Sequence, residues 1–170
     1  MARRLTQADF GELETLQREA GLDPVPSRLL EIEILQAWST CAPGNPLTNA
    51  IVYGVTEDNR ELRVLSLAVK KETRRLGAGK ELARHALQVA CKYDLRRVTF
   101  ECRPKNEAVR KLGESFGASV AFMKNFHFPT GNPEAVVYCL SVSPEDTCKN
   151  AAVGNARAEK GSKPTVSLSF

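Results

Sequence analysis

The chain has 170 residues, of which 42% are hydrophobic and 26% charged, and its formal net charge is +4 at pH 7. These values are typical of one soluble globular domain. The mild charge and the scattered lysines and arginines argue against a dedicated nucleic-acid-binding protein. No segment approaches the roughly 18 apolar residues of a membrane span, and the first ten residues lack the apolar core of a signal peptide.

The first fifty residues predict one clear helix and one ambiguous segment. A short strand over residues 2–5 precedes "TQAD", a capping box from Thr6 to Asp9 that starts a helix ending at Gly21. The segment "SRLLEIEILQAWS" (27–39) fits a helix by the spacing of its leucines and a strand by its alternating isoleucines, and we favour the helix. The next segment, "CAPGNPLTN", is a loop because of its prolines and glycine.

The rest of the chain alternates strands and helices. The patterns predict strands over 50–56, 61–69 and 96–102, helices over 79–93 and 106–118, and a final hairpin of two strands within 119–142. This order indicates an α+β (mixed α/β) domain over residues 1–142, with helices on both faces of a sheet. Residues 143–170 carry almost no large apolar side chains, so we expect a disordered tail.

The cysteines and histidines give no sign of a disulfide framework or a metal site. The cysteine count is odd and no CxxC pair occurs, which favours free thiols in a reducing, cytoplasmic compartment. Neither histidine has a partner at ligand spacing. We expect His85 to be solvated on its helix and His127 to be a plain strand residue, while Trp38 contributes packing.

The stretch "KKETRRLGAGKELARHAL" (70–87) has the composition of an anion-binding turn. Gly77 and Gly79 let the backbone bend tightly and present successive N–H groups. These amides precede a helix, whose N-terminal end carries a partial positive charge. A diphosphate is the expected ligand, with further positive charge from Lys70, Lys71, Arg74, Arg75 and Lys80.

Two common phosphate-binding motifs do not fit this stretch. A Walker A loop requires glycine where Arg74 stands and a hydroxyl residue where Glu81 follows Lys80. A dinucleotide-binding motif requires a small residue where Leu82 stands, and an acidic residue about 20 positions later that is absent.

The stretch instead resembles the central motif of the GNAT superfamily of acyl-CoA N-acyltransferases, [Arg/Gln]-x-x-Gly-x-[Gly/Ala] between a strand and a helix. Arg74, Gly77 and Gly79 occupy the diagnostic positions. The segment "FECRPKNEAVRKLGESFGA" (100–118) is similar to the second motif of that family. The likeness covers residues 61–118 closely and residues 2–142 in element order. It implies a mixed sheet of about six to seven strands with helices on both faces and one splayed strand pair.

The resemblance also implies where acetyl-CoA, the co-substrate, would bind, and it implies no metal. The pantetheine arm would pair with the backbone of Leu67 and Val69 between the splayed strands. The diphosphate would lie on the amides that follow Arg74, and Asn106 would bind the arm as well as cap its helix. The implied cofactor-binding residues are Leu67, Val69, Arg74, Arg75, Leu76, Gly77, Ala78, Gly79, Lys80 and Asn106.

The catalytic groups implied by the resemblance are only partly present. Glu101 is the candidate general base, and the alternative is a surface glutamate paired with Arg97 or Arg103. Gly113 stands where the family usually has a tyrosine acid, and Gly117-Ala118 replaces the usual Gly-Phe. Water or Tyr138 remains as a proton donor, or the thiolate leaves unprotonated, or the protein binds acyl-CoA without rapid turnover.

The sequence therefore predicts an N-acetyltransferase that moves an acetyl group from acetyl-CoA to a primary amine, by direct attack in a ternary complex. The acceptor is a small molecule or a peptide or protein N-terminus, with Asp23, Glu31 and Glu33 as candidate ammonium partners. The alternative is a catalytically weak acyl-CoA-binding regulatory module, which Gly113 favours and Glu101 disfavours. Nucleic acid and membrane are not expected partners, and a homodimer stays open.

Overall fold

A computed structural model describes residues 2–31, 35–56, 60–124 and 135–142 of the chain. The strands in these ranges are β1 (Arg3–Arg4), β2 (Gln36–Ser39), β3 (Asn49–Val55), β4 (Glu61–Val69), β5 (Arg97–Cys102), β6 (Ser119–Lys124) and β7 (Ala135–Ser141). The α-helices there are α1 (Phe10–Glu19), α2 (Ser27–Glu31), α3 (Ala78–Lys92) and α4 (Glu107–Glu114). Short 3-10 turns precede α1 and α3.

The strands form one mixed sheet in the order β1-β2-β3-β4-β5-β7-β6. Neighbouring strands are antiparallel, except that β4 and β5 run parallel. Helices α1 and α2 cover one face of β3 and β4, through a core that includes Leu13, Leu16 and Leu30. Helix α3 covers the opposite face through Leu82 and Ala86. The mixed α+β fold with helices on both faces is therefore confirmed.

A bulge in β4 separates this strand from β5 halfway along its length. Val52 of β3 lies opposite Ser66 while Tyr53 lies opposite Val64, so Leu65 is an extra residue. Such a bulge bends its strand and increases the local twist. Pairing with β5 accordingly ends at Val64 and Phe100, whereas pairing with β3 continues to Val69. This is the splayed strand pair that the resemblance implied.

A buried carboxylate holds the paired ends of β4 and β5 together. Glu61 is 5% exposed. It accepts a hydrogen bond from the Thr99 hydroxyl at 2.6 Å and from Arg97 Nε at 2.8 Å, and Arg63 Nε lies 3.3 Å away. Burial raises the pKa of Glu61, but the hydrogen bonds from Thr99 and Arg97 outweigh it, so the net pKa is lowered. The cluster therefore joins the two strands in the ionised state of Glu61.

Replacing Glu61 by glutamine is expected to lower the free energy of unfolding by about 2 kcal/mol, because the charge-assisted bonds to both arginines are lost. Glu14→Gln is the matched control, since Glu14 forms an exposed pair with Arg18 on α1 at 2.7 Å and such pairs contribute about 0.5 kcal/mol or less. Denaturant unfolding at pH 7 measures both values. Equal stability of the two variants would contradict the role of Glu61.

The helix favoured over residues 27–39 is wrong in its second half. Helix α2 ends at Glu31, and residues 36–39 form β2, which pairs with β3. Along β2, Ala37 and Ser39 are buried while Gln36 and Trp38 are half-buried. Pairing with β3 therefore determined the structure of residues 36–39, although the spacing of their apolar side chains also fits a helix. Tertiary context commonly overrides local preference in this way.

His85 is not the solvated residue that the sequence suggested. Its ring packs on Trp38, with 4.3 Å between the ring centroids, and its Nε2 atom lies 3.4 Å from the Tyr53 hydroxyl. Burial lowers the pKa of His85 to about 4. The imidazole is consequently neutral at pH 7 and belongs to the packing of α3 against β2 and β3. His127 and the tail 143–170 lie outside the described residues.

Candidate active site

A cavity of about 220 Å³ opens where β4 and β5 separate. Residues 20–23, which follow α1, line it on one face of the sheet. Helices α3 and α4 line it on the other face, through Ala83 and Val109 among others. Because residues from both faces contribute walls, the cavity connects the two sides of the sheet through the crevice between β4 and β5.

The splayed part of β4 presents a backbone edge to this crevice. Residues 66–69 pair with β3 on one side only, and within the described part of the chain no strand pairs with the other side of residues 65–69. Leu67 lines the cavity. Val69 lies beside the start of α3, since a Cβ built on Gly79 would be 3.8 Å from the Val69 side chain. An extended ligand arm can hydrogen-bond to such an edge as an added strand does.

The glycine turn lies at the start of α3. Gly77 is the N-cap residue and has φ +91°, and Arg75 also has a positive φ of +66°. In the described residues, the backbone amides from Arg75 to Lys80 donate to no protein acceptor. Six successive amides at the positive end of a 15-residue helix are therefore available to an anion.

Arg74 ties this turn to the end of β4, since its Nε atom donates to the Val69 carbonyl at 3.1 Å. Leu76 at the tip of the turn is 78% exposed. Lys70, Arg75 and Lys80 are half-buried or exposed around the turn. The predicted cofactor-binding residues from Val69 to Lys80 thus lie together, at one end of the crevice.

Asn106 occupies the other lip of the crevice and caps α4. Its Oδ1 atom accepts a hydrogen bond from the Val109 amide at 3.3 Å, and the residue lines the cavity. Among the described residues, the side-chain N–H groups of Asn106 have no protein partner. The structure therefore allows the capping role and a ligand contact at the same time.

Glu101 also lines the cavity. Side chains alternate along a strand, and Phe100 and Cys102 pack under α4. Glu101 therefore projects to the opposite face, the one that residues 20–23 flank. Of the two alternative partners, Arg97 is bound to Glu61, whereas Arg103 lines the cavity together with Glu101.

Residues 35–118 match the family model described as Acetyltransferase (GNAT) family. The chain belongs to the GNAT family. No curated protein sequence matches the chain, whereas 518 chains of solved structures do.

Three of these solved GNAT-like structures illustrate the likeness. The ribosomal-protein-S18-alanine N-acetyltransferase from Escherichia coli is 22% identical with a TM-score of 0.72, covering 84% of this chain and 94% of its own. Arabidopsis thaliana NAA60, in complex with a bisubstrate analogue, is 13% identical with a TM-score of 0.72, covering 85% and 99%. A Bacillus subtilis acetyltransferase in complex with CoA is 17% identical with a TM-score of 0.67, covering 84% and 98%. At these identities the likeness concerns the fold.

Gly113 is the position at which the resemblance implied a tyrosine, and the structure shows what lies beside it. A Cβ built on Gly113 would overlap Cζ of Phe100. The Phe100 ring is itself held by Tyr138, with 5.1 Å between centroids and 4° between ring planes. The tip of a β5 aromatic therefore occupies the place beside α4 that a side chain at 113 would need.

Replacing Gly113 by alanine is accordingly expected to destabilise the protein by about 1–3 kcal/mol, because the Phe100 ring must move out of its stack. In open space the same change would stabilise a helix by about 1 kcal/mol. Gly11→Ala in α1 is the matched control, since nothing lies within 4 Å of its Cβ position. Thermal unfolding distinguishes the two, and Phe100→Leu added to Gly113→Ala should restore stability.

Neither Tyr138 nor Cys102 is well suited to protonate the leaving thiolate. Tyr138 is buried behind Phe100 and is not part of the cavity wall. Cys102 does line the cavity, but burial raises the pKa of its thiol, and an acid weaker than the thiol of the leaving group transfers its proton unfavourably.

The acceptor side of this GNAT site was only partly foreseen. Asp23 lines the cavity, Glu31 is not among the lining residues, and Glu33 lies outside the described ones. Residues 20–22 and the bulged Leu65 also form the wall, and the sequence pattern did not single them out. Gly21, with φ +75°, was recognised only as the end of a helix.

In the ranges given above, no helix is long and apolar enough to cross a membrane. The same ranges contain no group of three or more His, Cys, Asp or Glu side chains that is suited to a metal ion.

Proposed function

We propose that this protein transfers an acetyl group from acetyl-CoA to a primary amine, and that the amine is the N-terminus of a peptide or protein. The observation that carries the proposal is the crevice between β4 and β5, which has the glycine turn at one end and Glu101 on the face opposite to α3 and α4. A donor and an acceptor can enter this crevice from opposite faces of the sheet. The structural neighbour named as a ribosomal-protein-S18-alanine N-acetyltransferase supports the choice of acceptor.

The donor binds on the face of α3 and α4. Its diphosphate lies on the free amides from Arg75 to Lys80 and is attracted by the surrounding cations. Its pantetheine arm extends along the open edge of β4, between Leu65 and Val69, with Asn106 across the crevice. We therefore expect the thioester near Val64 and Phe100, where the strands converge.

The acceptor enters from the side of residues 20–23, and Asp23 attracts its ammonium group. Glu101 removes one proton, directly or through a water molecule, because only the neutral amine can attack the thioester. A C–N bond forms, and a backbone N–H on the open edge of β4, near Leu65, donates to the oxyanion. The C–S bond then breaks and the second amine proton passes to solvent.

The leaving thiolate departs without a proton from the protein. Gly113 has no side chain to donate one, and Phe100 fills the adjacent space. Departure as the anion is feasible since a thiol has a pKa of about 8.5, so that its thiolate is a fair leaving group at neutral pH.

The test has two stages, thermal unfolding with and without acetyl-CoA, followed by thiol release with a panel of amines. The panel contains peptides that differ in their first residue, together with polyamines, amino acids and an aminoglycoside. We expect acetyl-CoA to stabilise the protein and at least one peptide to release thiol. Release with small amines alone would contradict the proposed acceptor, and absence of stabilisation would contradict the proposed donor site.

A second candidate function is an acyl-CoA-binding regulatory module with weak turnover. Phe100 at the place of the usual proton donor favours it. This candidate predicts stabilisation by acetyl-CoA without thiol release on any amine of the panel.

A further inference from the structure

The cavity does not end where β4 and β5 converge. It continues on the face of α3 and α4 to Leu87, Val98, Phe116 and Leu140, and all of these side chains are apolar. The charged residues of the cavity wall lie elsewhere: Asp23 is in the segment after α1, Glu101 projects from the opposite face of β5, and Arg103 follows β5. We call this continuation the apolar extension.

Small residues create the apolar extension. Ala83 and Ala86 face it from α3, Gly113 faces it from α4, and Ala118 follows α4 at its far end. Gly113 and Ala118 are also the two positions at which the sequence has smaller residues than the GNAT motif. Phe100 fills the space beside Gly113, whereas the space beside Ala118 remains part of the cavity.

We propose that the apolar extension binds the acyl chain of the donor, so that the protein binds donors with a short linear chain, such as butyryl-CoA or hexanoyl-CoA, more tightly than acetyl-CoA. The inference rests on the proposed function, because the acyl group must lie near Val64 and Phe100 for its chain to point into the extension. A wall without charged or polar side chains suits a saturated chain and does not suit a carboxylated one such as succinyl.

The physical basis of the preference is removal of methylene groups from water. Each buried methylene strengthens binding about fourfold. Butyryl-CoA, with two methylenes more than acetyl-CoA, is therefore expected to bind about 15-fold more tightly.

Calorimetric titration with acetyl-, butyryl-, hexanoyl- and succinyl-CoA, in the absence of amine, tests the proposal without knowledge of the acceptor. We expect butyryl-CoA to bind about 15-fold more tightly than acetyl-CoA, and hexanoyl-CoA at least as tightly as butyryl-CoA. Equal or weaker binding of the longer chains overturns this inference while leaving the proposed function intact. Failure of every acyl-CoA to bind overturns both.

An aromatic ring introduced into the apolar extension tests whether the acyl chain of the donor binds there. Ala118→Phe is expected to abolish the preference for butyryl-CoA while the dissociation constant of acetyl-CoA changes less than about twofold. Ala8→Phe is the matched control, since Ala8 is exposed and remote from the cavity wall. If Ala118→Phe does not fold, Ala83→Leu narrows the extension from α3 instead. A folded variant that keeps the preference overturns the assignment of the acyl site.

Discussion

Glu101→Gln is expected to slow acetyl transfer by about 100-fold or more, while the dissociation constant of acetyl-CoA stays unchanged. Glutamine preserves the size of the side chain but cannot accept the ammonium proton. Glu101 lines the cavity on the face opposite to α3 and α4, so that its loss leaves the donor site intact. Initial rates of thiol release at saturating acetyl-CoA measure the effect, and calorimetry measures the binding.

The control for this variant is Glu114→Gln, which removes an exposed carboxylate 3.6 Å from Arg110 on α4. Its rate should equal that of the native chain. If Glu101→Gln also keeps the native rate, proton removal is carried out by another group and Glu101 has no part in the mechanism. If both binding and rate fall together, Glu101 contributes to the donor site rather than to proton transfer.

Gly77→Asp is expected to weaken acetyl-CoA binding by about 100-fold or more, because it places a carboxylate beside the bound diphosphate and such like-charge contacts cost several kcal/mol. The residue has φ +91° at the N-cap of α3, a conformation that costs an L-residue roughly 1–2 kcal/mol. Calorimetric titration with acetyl-CoA gives the change in affinity, and thermal unfolding of the free protein gives the conformational cost.

Gly44→Asp separates these two contributions. Gly44 has φ +80° and, like Gly77, no atom within 4 Å of its Cβ position, but it lies in the connection between β2 and β3. Both variants should therefore lose similar stability, and only Gly77→Asp should lose affinity. Equal affinities of the two variants would show that the diphosphate binds elsewhere.

The sequence predicted those parts of the site that depend on local geometry. Gly77, with its left-handed conformation, and Asn106, which caps α4, follow from the few residues around them. The nine-residue strand β4 was likewise placed at its observed limits, since its pattern is continuous from Glu61 to Val69.

Features that depend on distant residues were not predictable in the same way. The bulge at Leu65 is defined by its register with β3, and β2 is a strand because β3 offers it an edge. The contact between Gly113 and Phe100 joins positions on different elements. From the sequence alone Gly113 is only a missing tyrosine, whereas the structure shows an aromatic ring from β5 in its place.

The join between β4 and β5 has a mechanical consequence. The sheet has two portions, strands β1–β4 and strands β5–β7. In the described residues, only four pairs, from Glu61 with Arg97 to Val64 with Phe100, connect these portions through backbone pairing. The glycine turn follows β4 in one portion, whereas Glu101 and Asn106 belong to β5 and the segment after it in the other. A small rotation about these four pairs would therefore change the separation of the proposed donor and proton-transfer groups. Substitutions in the Glu61 cluster should thus change the reaction rate, although this cluster lies at the paired end of the two strands, away from the proposed substrates.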